Sequence, residues 1–274
     1  MNILYINLDQ AVERRSRIEE NIAEFAGGVP FRRIPALSAE HVLREKIPGS
    51  IRPAEKGCFL SHAKAVETSL EYAGPSLILE DDAILGTRAM KILNRTLATS
   101  RNVDILFTDL AITSIESMLS LFRLRRDFQG DAVAVGDCRE IHFAASTAYV
   151  LPDVESKQKV LAALKSFDSL DLPYDLAIRN MIVAGELSAS FIFPFITSLS
   201  PESRRTQIQP EIESLTNVVY DTFRKLMFNE SALIHTTLLD EVNCVPEDFY
   251  DREATIFAGI WKLMLSRKFP TRFF

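Results

Sequence analysis

Apolar residues along the first hundred positions fall into short blocks that alternate with amphipathic ones. Residues 2–8 form a short, mostly apolar run of the length a buried strand takes. Residues 11–25 follow with Val12, Ile18, Ile22 and Phe25 at helical spacing against a charged opposite face. A second strand is expected at 31–36, and residues 53–72 read as a helix opened by Pro53 and closed by Gly74-Pro75. Residues 76–79 then run apolar directly into Glu80-Asp81-Asp82. Beyond them the pattern predicts a helix at 87–97, strands at 103–107, 131–135 and 143–151, helices at 152–167 and 174–184, and a strand at 188–193. Strands alternating with helices predict an α/β layer fold with a mainly parallel central sheet. Residues 201–210 are a polar break, after which no strand pattern returns. Leu215, Val218, Val219, Thr222, Phe223 and Leu226 instead share one helical face. The expected division is an α/β domain at 1–210 and a helical C-terminal extension at 211–274 packed on it.

Composition narrows the function classes. A chain of 274 residues with 47% hydrophobic and 25% charged positions has enough apolar material for a large core, which excludes disorder as its main state. Thirty-one Lys and Arg against 37 Asp and Glu leave a net charge of −6, so the protein as a whole does not attract nucleic acid or anionic lipid. Cys58, Cys138 and Cys244 are far apart and form no CxxC pair, which points to reduced thiols rather than a zinc ribbon or disulfide framework. Cys58, next to Gly57, is expected to be a small residue packing a helix. The opening residues read as a strand and carry no basic leader, and the longest apolar stretches fall short of the roughly 20 residues a membrane helix needs. A soluble, cytoplasmic protein is expected.

The acid triplet is where the chemistry concentrates. Unpaired carboxylates cannot be buried beside Ile78 and Leu79 without a cost of several kcal/mol, so the strand has to end where the acids begin. That puts them at the carboxyl end of a parallel strand, the edge at which open α/β sheets bind ligands. Alternation sets Glu80 and Asp82 on one side, where a hard divalent ion such as Mg²⁺ or Mn²⁺ would relieve their repulsion. The competing reading is a solvated acidic turn.

Three blocks, taken together, resemble glycosyltransferase family 25, the lipooligosaccharide galactosyltransferase type. They are Ile6-Asn7-Leu8-Asp9 with Arg14-Arg15, then Glu55-Lys56-Gly57-Cys58-Phe59-Leu60-Ser61-His62, then Leu77-Ile78-Leu79-Glu80-Asp81-Asp82. Thr147-Ala148-Tyr149-Val150 and Leu172-Pro173-Tyr174-Asp175 resemble later elements of the same family. The resemblance implies a GT-A-like nucleotide-sugar-binding domain, a divalent metal (Mn²⁺ or Mg²⁺), and transfer with inversion. It also implies a UDP-sugar donor, galactose foremost, and a bacterial lipooligosaccharide or other lipid-linked glycan acceptor.

On that basis Asp82 and Glu80 are the expected metal ligands, with His142 or His235 as candidates for a further one. Asp81 would face ribose or sugar hydroxyls. Asn7 and Asp9 close the first strand, within reach of a uracil or ribose. Arg14 and Arg15 are candidates for pairing with phosphate, or else solvated helix charges. Ser61 and His62 would line the donor site, against a purely structural role for a helix histidine. Arg204 and Arg205 sit in a polar loop that could close over a diphosphate. Asp175 is the first choice for the base that takes the acceptor proton, or for orienting the acceptor, with helix capping as its competitor. Asp109 is the alternative base. The basic-aromatic end at 262–274 suggests contact with the inner membrane surface, or a packed terminus. Two other functions compete: a non-catalytic nucleotide-sugar-binding or scaffold member of the family, and a nucleotidyltransferase on a similar sheet. The absence of any Gly between Asn7 and Arg15 counts against the nucleotidyltransferase.

Overall fold

In the computed structural model, which describes residues 1–99, 103–127, 132–144, 147–200, 223–225 and 228–229, the first apolar run becomes β1 (Asn2–Asn7), buried at every position. It is buried throughout because a strand flanks it on each side and helices cover both faces of the sheet. α1 (Val12–Phe25) leads to β2 (Phe31–Pro35), which pairs parallel to β1 on one edge. After α2 (Ala39–Arg44) and α3 (Pro53–Ser69), β3 (Ser76–Glu80) pairs parallel to β1 on the other. The chain continues through β4 (Ala83–Leu85), α4 (Ala89–Thr99), β5 (Ile105–Phe107), β6 (Ala111–Ile112), α5 (Ile115–Asp127), β7 (Ala134–Asp137), β8 (Phe143–Ala144) and β9 (Ala148–Leu151). It ends its described run with α6 (Val154–Lys165), α7 (Tyr174–Val183), β10 (Ala189–Phe193) and β11 (Thr197–Leu199).

Seven strands form the central sheet in the order β2-β1-β3-β9-β5-β10-β7. β9 runs antiparallel between β3 and β5, and β7 runs antiparallel on the edge beside β10; the other five strands point one way. The mixed α/β architecture with a mainly parallel sheet is thus as the pattern predicts. Period-two alternation divides the core between the two faces. Ile3, Tyr5, Leu77, Leu79, Ala148 and Val150 pack on one face with Ile18 and Ile22 of α1 and Ile92 and Leu93 of α4. Leu4, Ile6, Ile78, Tyr149 and Leu151 pack on the other with Phe59 and Val66 of α3, Val160 and Leu164 of α6, and Tyr174 and Ile178 of α7.

Several elements differ from the pattern. The run at 143–151 is two strands in different sheets, since Phe143 pairs with Ile112 while Tyr149 lies between Ile78 and Phe107. The strand expected at 131–135 lies at Ala134–Asp137. Helices α2 and α5 have no counterpart among the expected elements; the first begins where Ser38 Oγ accepts from the His41 amide at 3.2 Å. Of the expected C-terminal extension only residues 223–225 and 228–229 are described. There Phe223 and Phe228 are buried, and the Phe195 amide donates to the Phe228 carbonyl. The boundary at 210 and the basic-aromatic end at 262–274 lie outside the described residues. No described helix is long and apolar enough to cross a membrane.

Candidate functional site

Because β1 and β3 are parallel neighbours with Ile6 opposite Glu80, Asn7 and Asp81 emerge side by side at the carboxyl edge of the sheet. A pocket opens there, walled by the ends of both strands, Ala11 and Arg14 around the start of α1, the 36–39 turn, and Ala54, Cys58, Ser61 and His62 on α3. Glu80, Asp81 and Asp82 all face it.

The three acids have different surroundings. Asp81 is pinned: Asn7 Nδ2 donates to Oδ2 at 2.8 Å and Arg14 Nη1 donates to Oδ1 at 3.0 Å. Burial pushes its pKa up, with the Asn7 and Arg14 contacts pulling against that. Asn7 is in turn locked by Arg33, whose Nε donates to Asn7 Oδ1 at 3.0 Å and whose Nη2 donates to the Asn7 carbonyl at 3.1 Å. Asp82 is the unsettled member, since Oδ1 is buried and makes no hydrogen bond. Burial first, then the Glu80 and Asp81 charges, push its carboxyl up to about 7; Arg14, 3.9 Å from Oδ2, only partly opposes them. Glu80, partly open to the pocket, brings Oε1 to 3.4 Å from His62 Nε2.

His62 is fixed from behind. Its ring stacks on Tyr174 with centroids 4.0 Å apart and planes 6° from parallel. Nδ1 is in hydrogen-bond contact with the Tyr149 hydroxyl at 3.0 Å, and Tyr149 accepts from the Tyr174 hydroxyl at 2.9 Å. The ring is 1% exposed, yet Nε2 makes no hydrogen bond and points toward Glu80. Cys58, one helical turn before His62, is half-buried on the pocket wall rather than a packing residue of the core. Burial and the nearby Glu80, Asp175, Asp82 and Glu55 carboxylates push its thiol well up. Cys58, His62 and Glu80 bring ligand atoms within 4.8 Å of one another. Ser61 lines the pocket, but its hydroxyl donates to the Gly57 carbonyl at 2.6 Å and accepts from the Leu37 amide at 2.8 Å, so it ties the 36–39 turn to α3.

The structure therefore gathers Asn7, Arg14, Ser61, His62, Glu80, Asp81 and Asp82 into one pocket. It leaves other candidates outside the wall. Asp9 is exposed and paired with Arg33, and Arg15 does not line the pocket. Asp109 is buried in an ion pair with Arg224, so its carboxylate is already engaged. Asp175 sits half-buried in the first turn of α7, accepting from the Leu176 amide at 2.9 Å, close enough for its charge to act on Cys58. His142 is exposed, with Nδ1 2.8 Å from Arg179. Arg204, Arg205 and His235 lie outside the described residues.

Sequence reasoning misses Arg33, Tyr149 and Tyr174 as builders of this site. The two tyrosines lie inside the motifs Ala148-Tyr149 and Pro173-Tyr174-Asp175, which is a usable signal. Arg33 gives none, since a charge on an edge strand reads as solvated.

Residues 1–117 match the sequence profile of Glycosyltransferase family 25 (LPS biosynthesis protein), a span that contains every residue lining the pocket. The N-terminal part of this chain is thus similar to glycosyltransferase family 25. Among curated relatives, a Lacto-N-neotetraose biosynthesis glycosyltransferase LgtB of Neisseria meningitidis serogroup B is 36% identical over 98 residues, 32% of this chain and 35% of that protein. LgtE of Neisseria gonorrhoeae matches at the same identity over 98 residues, 34% of its length. The alignment thus spans about a third of the length of these curated relatives. A solved nucleoside-diphosphate-sugar pyrophosphorylase from Vibrio cholerae RC9 overlays 70% of this chain and 72% of its own at a TM-score of 0.34 and 9% identity, too loosely to bear on the fold.

Proposed function

We propose that this chain is a glycosyltransferase that moves a sugar from a nucleotide diphosphate donor, UDP-galactose first, to a bacterial lipooligosaccharide or related surface glycan. One observation carries the reading: Asp82, whose Oδ1 is buried and makes no hydrogen bond, lines the same sheet-edge pocket as Glu80, Arg14 and His62. We read the domain as GT-A-like, on the acid triplet at the carboxyl end of β3. The family-model match over residues 1–117 supports the activity class; the donor sugar, the metal and the stereochemistry are proposed.

Asp82 Oδ1 and Glu80 are hard oxygen donors held beside one another at a like-charge cost, and both suit Mn²⁺ or Mg²⁺. When bound, such an ion offsets the negative charge that builds on the departing diphosphate. The protein's own groups do the rest. Arg14 fixes Asp81, so the acid loop keeps its shape when the donor arrives. His62 Nε2, with the Tyr149 hydroxyl donating to Nδ1, offers an N–H to a donor oxygen. The acceptor hydroxyl attacks the anomeric carbon from the face opposite the leaving group and the bond to the diphosphate oxygen breaks. That direction of attack gives inversion, and the hydroxyl proton passes to Asp175.

A donor-hydrolysis screen across UDP-, GDP- and CMP-sugars with Mn²⁺ tests this without knowledge of the acceptor. Slow hydrolysis of UDP-galactose that disappears in Asp82→Asn is expected. Hydrolysis unchanged in that variant would remove the metal assignment, and no binding of any nucleotide sugar would remove the reading.

A further inference from the structure

The carboxylates are not the only metal-ligating set on this wall. Cys58, His62 and Glu80 come from two elements, α3 and the end of β3, and one ligand atom from each converges within 4.8 Å of the others, with His62 Nε2 and Glu80 Oε1 3.4 Å apart. His62 Nε2 is buried, makes no hydrogen bond, and is aimed into that convergence. Its 3.4 Å separation from Glu80 Oε1 suits two ligands of one tetrahedral ion, which at bond lengths near 2.0 Å stand roughly 3.3 Å apart.

We propose that Cys58, His62 and Glu80 form a site for a borderline-soft divalent cation, Zn²⁺ above all, distinct in its donor set from the hard-ion carboxylates. Sulfur and imidazole ligands select such an ion over Mg²⁺ or Mn²⁺, and one thiolate with one carboxylate neutralises its charge. The thiol releases its proton to solvent on ligation. All three side chains line the pocket, so the fourth position of the tetrahedron stays open to water or a ligand. The Tyr149 hydroxyl, both donor and acceptor, serves either tautomer of His62 and so holds the ring for a metal as it does without one. Because Glu80 belongs to both sets, Zn²⁺ here takes that oxygen away from a hard ion at Asp82. The proposal goes beyond sugar transfer and does not depend on it.

Co²⁺ is the probe, because a thiolate ligand gives it a near-ultraviolet charge-transfer band that carboxylate and imidazole do not. Titration of the full chain is expected to produce that band at one equivalent, with Zn²⁺ displacing it. Cys58→Ser and His62→Gln should abolish it, Tyr149→Phe should weaken binding about tenfold, and Asp82→Asn should leave the band intact. No band in the wild type at saturating Co²⁺, a band that survives Cys58→Ser, or one lost in Asp82→Asn would each overturn the site. Should Cys58→Ser fail to fold, thiol alkylation of the wild type mapped by mass spectrometry decides. Zn²⁺ protection of Cys58 upholds the proposal, and equal labelling with and without Zn²⁺ rejects it.

Discussion

Arg224 donates to the Asp109 carboxylate across 115 positions of chain, with both side chains buried. The pair ties a segment near the C-terminal end of the described chain to the end of β5, and it takes up the carboxylate that sequence offers as an alternative base. Removing one member of a buried pair strands the other's charge, at a cost of about 3–5 kcal/mol. Arg224→Met should therefore lower the urea midpoint sharply, and the double variant with Asp109→Leu should recover much of the loss. If Asp109→Asn instead abolishes donor hydrolysis with stability unchanged, Asp109 has a chemical role that this pairing does not explain.

Asp82→Asn has the opposite signature. It deletes a charge that burial and two neighbouring carboxylates disfavour, so the metal-free variant should be at least as stable as the wild type at pH 8 in chemical denaturation. It should nevertheless lose Mn²⁺-dependent UDP-galactose binding in calorimetry. A variant that is both unstable and fully competent to bind would refute the assignment.

The tyrosines behind His62 should be unequal. Tyr149→Phe removes the direct partner of Nδ1, whereas Tyr174→Phe keeps the stacked ring and loses only the bond to Tyr149. Leaving a buried ring nitrogen unpaired costs about 1–3 kcal/mol. We expect the larger loss of stability and of donor affinity in Tyr149→Phe. Equal effects would mean that His62 is held by packing alone.

Gly57 sits inside α3, where glycine costs about 1 kcal/mol relative to alanine. It is there because a Cβ would meet the Leu37 carbonyl oxygen at 2.3 Å. Gly57→Ala should thus destabilise by about 1–3 kcal/mol despite its helix propensity. It should also weaken donor binding, because the turn it displaces is the pocket wall that Ser61 ties to α3.

Acid sensitivity should trace to Asp104. Burial alone would raise its pKa, but the Lys159 ammonium at 2.7 Å and the Ser188 amide and hydroxyl hold it below its ordinary value. A depressed carboxylate contributes stability above its unfolded pKa, near 3.9, and that contribution fades as pH falls from there through the folded value. In Asp104→Asn the fall in melting temperature below pH 4 should be shallower, with a lower plateau at pH 7. Parallel curves for the two proteins would exclude this group as the source.

The strands around the site are legible because each announces itself locally. In β1 and β3 the apolar run stops where polar side chains must reach water, so the order of residues alone sets Asn7 and the acid triplet at a sheet edge. Pairing partners are not legible. Nothing in the four residues of β9 encodes that they slot antiparallel between β3 and β5, and nothing near Arg33 says that it locks Asn7. The run at 143–151 misleads for the same reason, since hydrophobicity records burial and not the sheet that provides it. Asp109 misleads in the reverse sense. An acid after a buried strand reads as available, and its counter-ion lies over a hundred residues away.

Every residue on the pocket wall falls between Ile6 and Asp82, while the later chain supports it from outside, through Tyr149 and Tyr174 behind His62, the Thr147 carbonyl at the Glu80 amide, the Ser200 amide at the Asp82 carbonyl and Asp175 near Cys58. The pocket is therefore a cassette braced from behind by the later chain. A chimera that exchanges the chain after residue 117 for the corresponding part of a protein that matches the same family model can keep this pocket intact, provided the exchange preserves those supports.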